Sequence, residues 1–221
     1  MDFILDLQRG FSQNKSAENA VAMEAYMKNH FPFLGIKAAL RRSILKAAHA
    51  ANKQEVTYHA RDISLKLFEL PEREYHHTAI DILIKQLDKK FIPEDIELIE
   101  HLLTTKSWWD SVDAMAKYLL GGYLKHYPEE TEGVIARFST SGNMWLNRSA
   151  IIFQLDYKKQ TDALLLFSLC EKHSASKEFF IQKAIGWALR EYAKSNPEAV
   201  KTFVINANLK PLSKREALKN L

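Results

Sequence analysis

The sequence predicts an all-α fold in which helix pairs stack into an α-solenoid, and three observations predict it. The first is punctuation. Four of the six prolines precede a glutamate, at Pro71-Glu72, Pro93-Glu94, Pro128-Glu129 and Pro197-Glu198. Proline lacks the amide hydrogen that a first helical turn leaves unsatisfied, and an acid beside it meets the positive end of the helix dipole. The second is periodicity. Apolar residues recur at three and four, as in Ala79, Ile80, Leu83, Ile84 and Leu87 or Ile181, Ile185, Ala188, Leu189 and Tyr192, whereas no convincing period-two segment or Asn-Gly hairpin turn appears. The third is spacing: expected starts near Glu72, Trp108, Met144 and Lys177 fall roughly 33 to 36 residues apart, the range of two-helix repeats. Stacked pairs curve and line a concave surface that holds an extended partner. Side-chain identity between units is low, so a compact irregular bundle is the alternative arrangement.

In chain order these signals give about eleven or twelve helices of roughly 10 to 17 residues joined by short turns. The opening "MDFILDLQRGFSQ" is an acid-containing amphipathic pattern rather than a signal peptide. The Pro-Glu pairs mark four starts. Ser213-Lys-Arg-Glu216 has capping-box spacing and Ser107-Trp-Trp-Asp110 is a looser version with a shorter acid, and they mark two more. Gly121-Gly122 after "AKYLL" reads as a helix terminus rather than a phosphate loop. His76 and His77 are adjacent, so they point to different sides of a helix, and no metal site is expected.

Bulk properties fit a globular protein. Of 221 residues, 47% are hydrophobic and 26% charged, with seven glycines and six prolines, and a single domain over 1–221 is expected. No apolar run approaches the roughly 18 residues of a membrane helix, which points to the cytoplasm. One cysteine, Cys170 in "ALLLFSLCEKH", excludes an internal disulfide and suits a small core position. A net charge of +4 and a pI near 9.0 leave room for a basic face toward an anionic partner.

The stretch "SWWDSVD", residues 107–113, carries the chemistry. In a helix starting after Ser107, Trp109 and Asp113 are four apart and share a face, while Trp108 points elsewhere and can enter the core. Arg148 in "NMWLNRSAII" belongs to the following unit and can bring a guanidinium to Asp113. Trp187 in "QKAIGWALREY" belongs to the unit after that, and Gly186 beside it removes a side chain where something approaches closely. Tyr26 offers a further aromatic from the N-terminal end. Aromatics, a carboxylate and an arginine thus converge on one groove; the plainer alternative is a set of core residues plus a structural ion pair.

The segments "YMKNHFPFLGIKAALRR", "LTTKSWWDSVD", "NMWLNRSAIIFQLDYK", "SASKEFFIQKAIGWALREYAKSNP" and "PLSKREA" strongly resemble the bacterial AlkD family of DNA alkylation repair glycosylases, over nearly the whole chain. The resemblance implies a right-handed solenoid of HEAT-like helix pairs, monomeric and nucleoid-associated in the cytoplasm, that binds duplex DNA in its concave face. It further implies excision of positively charged N3- and N7-alkylated purines with no metal or organic cofactor and without extruding the base. The family's catalytic aspartate falls on Asp113, its active-site tryptophans on Trp109 and Trp187, its active-site arginine on Arg148 and its N-terminal aromatic on Tyr26. At Lys37 the sequence departs from the family, where a neutral amide contacts DNA, so contacts at that end are expected to differ.

The residue types suit that chemistry. A purine alkylated at N3 or N7 carries a fixed positive charge that weakens its glycosidic bond, so the deoxyribose needs stabilising as it gains oxocarbenium character, and a carboxylate near C1′ does so. Tryptophan faces attract the cationic base, each contact contributing about 0.5–2 kcal/mol. Arg41, Arg42, Lys183, Arg190, Lys214 and Arg215 are the candidate sequence-independent phosphate contacts, with Lys37. The alternative function is a non-catalytic helical-repeat module that binds DNA or protein along the same groove.

Overall fold

A computed structural model describes residues 1–219; the last two positions of the expected 1–221 domain lie outside the described residues. Among the described residues the regular structure is helical, with no strand. Two compact units divide the chain, Met1–Lys90 and Phe91–Leu221.

The first unit holds α1 (Asp2–Gln13), α2 (Ala17–Tyr26), α3 (Ala38–Ala51), α4 (Lys53–Glu69) and α5 (Arg73–Leu87). Phe3, Leu7 and Phe11, each four residues apart, form the fully buried face of α1. Helix α4 leaves helical geometry at His59 (φ −121°, ψ 25°) and then packs along α5. The interior is unusually polar. Glu74 accepts the backbone amides of Leu34 and Ile36, both at 3.0 Å, and the Arg73 guanidinium lies 3.9 Å from the Phe31 ring centre. The ring of His76 lies 2.7 Å from the Leu70 carbonyl and 3.2 Å from Arg73. These contacts tie the irregular segment before α3 to α5. Gly35 in that segment has φ +80°, and a Cβ there would lie 2.0 Å from the Ser16 carbonyl, so only glycine fits.

The second unit holds α6 (Asp95–Thr104), α7 (Trp109–Ala114), α8 (Gly121–His126), α9 (Thr131–Thr140), α10 (Met144–Ile152), α11 (Ala163–Lys172), α12 (Phe179–Ala193), α13 (Pro197–Asn206) and α14 (Pro211–Ala217). Its core gathers Ile151, Ile152, Ile185, Leu189 and Val200 around fully buried Cys170. Burial pushes the Cys170 thiol far up from its ordinary value, as expected for an inert core cysteine. Helices α7 and α8 are joined by a π-helical stretch, Met115–Leu120, into one rod.

That rod corrects one expectation. Gly121-Gly122 is not a terminus but lies within the rod, where a Cβ on Gly121 would meet the Phe153 carbonyl at 2.5 Å and one on Gly122 the Phe91 ring at 3.0 Å. The pair permits close packing. The Tyr157 hydroxyl also donates to the Gly121 carbonyl at 2.8 Å. The helix starts are corrected in part. Pro197 opens α13, and Asn196 caps it by accepting from the Ala199 amide at 3.2 Å. Pro128 opens a 3₁₀ turn leading into α9. Pro71 and Pro93 precede α5 and α6 by two residues each. Both capping boxes fail. The Ser107 hydroxyl turns back to the Leu103 carbonyl at 2.6 Å, and Ser213 lies inside α14, which already begins at Pro211. The starts at Arg73, Trp109, Met144 and Phe179 keep a spacing of about 35 residues, as two-helix units require. No helix among the described residues is long and apolar enough to cross a membrane.

Candidate active site

Helix α7 begins directly after Trp108, whose extended backbone (φ −156°) precedes the first helical residue. Trp109 and Asp113 therefore stand one turn apart on one face, while Val112 and Met115 bury completely on the other. Trp108 packs with its ring edge toward Trp145 and Phe180, at centroid distances of 5.7 and 5.2 Å. It is half-buried, and its role is to pin the start of α7.

Arg148 comes from α10, whose first turn is fixed by the Asn143 side chain accepting the Trp145 amide at 2.8 Å. The guanidinium grips Asp113 with both prongs: Nε donates to Oδ1 at 2.7 Å and Nη2 to Oδ2 at 2.9 Å. Nη1 donates to the Phe180 carbonyl at 2.5 Å. The side chains are only 5% (Arg148) and 17% (Asp113) exposed, so the fork sets the carboxylate plane rigidly. Burial pushes the Asp113 carboxyl up from its ordinary value; the Arg148 fork opposes this and nearby Asp110 adds to it. The cost of removing the carboxylate from water wins.

Helix α12 supplies the facing wall. Phe179, Lys183 and Trp187 follow one another at four-residue intervals and Arg190 comes three later, one stripe along the helix. Together with Trp109, Asp113, Arg148 and Phe180 they line a cavity of about 310 Å³. Six of the residues expected from sequence thus share one site. Sequence reasoning missed Phe179, which is 58% exposed at this cavity, and Phe180; the stripe through Lys183 and Trp187 was the signal that could have found the former.

Gly186 does permit a close approach. What approaches it is α14: a Cβ there would lie 2.4 Å from the Glu216 Cβ and 3.0 Å from the Ser213 carbonyl. The Ser213 hydroxyl donates to the Gln182 carbonyl at 3.0 Å. Glu216 in turn bonds Lys183 Nζ at 3.0 Å and Arg190 Nη1 at 2.9 Å through one oxygen. On the same helix, Lys214 is half-buried and Arg215 exposed.

The remaining candidates lie in Met1–Lys90. Tyr26 ends α2 and is 68% exposed. Lys37 is exposed at the N-cap of α3. Arg41 is buried, donating to Asp81 at 2.8 Å and Thr78 at 3.3 Å; its charge is directed inward, and burial lowers its pKa from the ordinary arginine value. Arg42, by contrast, is exposed and reaches the same Asp81 at 3.3 Å.

The sequence model of a family described as DNA alkylation repair enzyme matches residues 7–221. The chain belongs to that family. A solved structure described as a predicted DNA alkylation repair enzyme from Enterococcus faecalis is 34% identical, covers 94% of this chain and 96% of its own, and superposes with a TM-score of 0.84. None of the curated proteins compared matches the chain. Family membership assigns this DNA alkylation repair enzyme its general task. The cavity presents a fixed carboxylate among aromatic faces and cations.

Proposed function

We propose that this enzyme is a DNA glycosylase of the AlkD type, releasing positively charged N3- and N7-alkylated purines from duplex DNA. The observation that carries the reading is the buried Asp113 carboxylate, held by both Arg148 prongs in a cavity walled by Trp109 and Trp187. In the reaction the C1′–N bond breaks and its electron pair leaves with the base, whose positive charge is thereby neutralised. The sugar becomes oxocarbenium-like, and the Asp113 carboxylate stabilises it. Each Asp113 oxygen keeps a lone pair beyond the one Arg148 uses, so the same group orients the water that attacks C1′ and accepts its proton. Trp109 and Trp187 favour the cationic base through their ring faces.

Among the described residues the cavity lining holds no amide or hydroxyl side chain, which supports capture of the backbone and sugar over the reading of an extruded base edge. The spacing of helix starts by about 35 residues supports a HEAT-like repeat scaffold over 1–221. Lys183, Arg190, Lys214 and Arg215 of the second unit, with Lys37 and Arg42 of the first, are the proposed phosphate contacts, and Tyr26 a further DNA contact. Single-turnover assay on a duplex carrying 7-methylguanine tests the reading: free base should appear at excess protein. Intact DNA binding with no base release would instead support the non-catalytic binding module.

A further inference from the structure

Two of the cations on the cavity wall are already occupied. Lys183 and Arg190 both meet a single oxygen of Glu216, and Arg190 also donates to the Glu216 carbonyl at 2.8 Å. An acid is the wrong sign for a surface that binds a polyanion, so its presence needs a reason. Anchoring α14 is one, but α14 is already held by the Ser213–Gln182 bond and by close packing on Gly186. The cations are still partly accessible, at 37% (Lys183) and 24% (Arg190) side-chain exposure, while Glu216 is 14% exposed. One oxygen bridging an ammonium and a guanidinium is the geometry a phosphate oxygen adopts between the same groups. The two cations hold the Glu216 carboxyl below its ordinary value, their hydrogen bonds outweighing desolvation.

We propose that Glu216 is a positioning residue that stands in for a phosphodiester oxygen, holding Lys183 and Arg190 at the cavity wall until a DNA backbone phosphate takes one of them over. The proposal rests on the glycosylase reading only in taking duplex DNA as the ligand. Free duplex must displace part of the Glu216 contact in order to bind, which keeps undamaged DNA weakly held. The cations meanwhile stay in register with Asp113 and Trp187 for the strand whose lesion is to be released.

Undamaged duplex provides the test, since its binding does not depend on base release. Glu216→Gln leaves the cations unneutralised. It should raise affinity for undamaged duplex about threefold or more and steepen the log–log salt dependence by about 0.9, one more phosphate contact. Single-turnover release of 7-methylguanine should fall several-fold, because the cations are no longer held in place. Unchanged affinity and slope, with only a lower melting temperature, would mean that Glu216 merely fastens α14 and would overturn the proposal. A second measurement uses the wild-type protein and needs no variant to fold. The side-chain carboxyl ¹³C resonance of Glu216 should move when undamaged duplex is added and return when salt displaces it; a resonance that stays put overturns the proposal. If wild-type protein binds duplex in this way yet releases no base, the glycosylase reading fails and the Glu216 assignment stands.

Discussion

Each unit of the molecule contains a buried arginine paired with an aspartate from another helix, and the two pairs are closely matched. Arg41 meets Asp81 at 2.8 Å and Arg148 meets Asp113 at 2.7 Å; the arginine side chains are 6% and 5% exposed. Their surroundings differ. Asp81 is 27% exposed and collects two guanidiniums, from Arg41 and Arg42, with Thr78 completing a polar cluster. Asp113 is more deeply buried, takes one guanidinium, and faces a cavity lined with Trp109 and Trp187. The same ion pair fastens two helices in one place and aims a carboxylate at an open space in the other. What separates them is whether apolar walls hold the acid out of water.

The largest expected effect breaks the second pair. Asp113→Asn should slow single-turnover excision of 7-methylguanine by roughly 10² or more, about 3 kcal/mol of transition-state stabilisation. An unchanged rate would remove Asp113 from the mechanism. The pH dependence follows from the same group. In the proposed mechanism excision uses the carboxylate, so its rate should fall with acidification through a pKa above the ordinary aspartate value of about 3.9, and Asp113→Asn should lack that limb. Because folding raises the Asp113 pKa, the folded state binds this proton more tightly than the unfolded chain does. The associated stability is present below the unfolded pKa and is lost as pH rises through the folded one. This group's contribution to stability is therefore smaller at neutral than at acid pH. Asp113→Asn keeps one acceptor for Arg148 but turns an amide NH2 toward its second prong and removes the counter-charge of a buried guanidinium, so the melting temperature at pH 7 should fall by several degrees.

This pair was legible in sequence because its geometry is partly local: four-residue spacing alone puts Trp109 and Asp113 on one face. Repeat spacing then placed Arg148 and Trp187 within reach. Other residues were misread, or read only in part, where the deciding contact is distant. Ser213-Lys-Arg-Glu216 matches a capping box, but a local pattern does not register Lys183 and Arg190, with which Glu216 pairs. Gly186 and Gly121 both permit close approach, and nothing beside them in sequence says that the approaching groups are α14 and the Phe153 carbonyl. The π-helical stretch after Asp113 has no composition of its own. Arg41 and Arg42 are neighbours of the same type, and only packing turns one inward and leaves the other in water.

An intermediate effect concerns the aromatic walls that distinguish the second pair from the first. Trp187→Ala and Trp109→Ala should each lower the release of 7-methylguanine or 3-methyladenine by about tenfold, within the 0.5–2 kcal/mol of a cation–π contact. The rate gap between these bases and neutral uracil or hypoxanthine should narrow. Duplex affinity should barely change, since the proposed phosphate contacts would supply it. Cationic rates untouched by either substitution would make both tryptophans packing residues.

The smallest expected effect on excision comes from breaking the first pair, and it sharpens the contrast most. Asp81→Asn removes a carboxylate that two guanidiniums share, one of them on the buried Arg41 side chain. Arg41 then keeps its Thr78 contact but loses its counter-charge in a site with little water. Hydrogen bonds to a charged group contribute about 1.5–3 kcal/mol, so the melting temperature should fall by several degrees, at about 2–4 °C per kcal/mol for a chain of this size. Excision per folded molecule should stay within about twofold, no larger than the change expected for a surface substitution. The two aspartate variants thus part on rate: both lose stability, but only Asp113→Asn should lose excision per folded molecule. Thermal melts and single-turnover rates on the same two preparations check this, and a matching loss of rate in Asp81→Asn would collapse the distinction between a fastening pair and the proposed catalytic one.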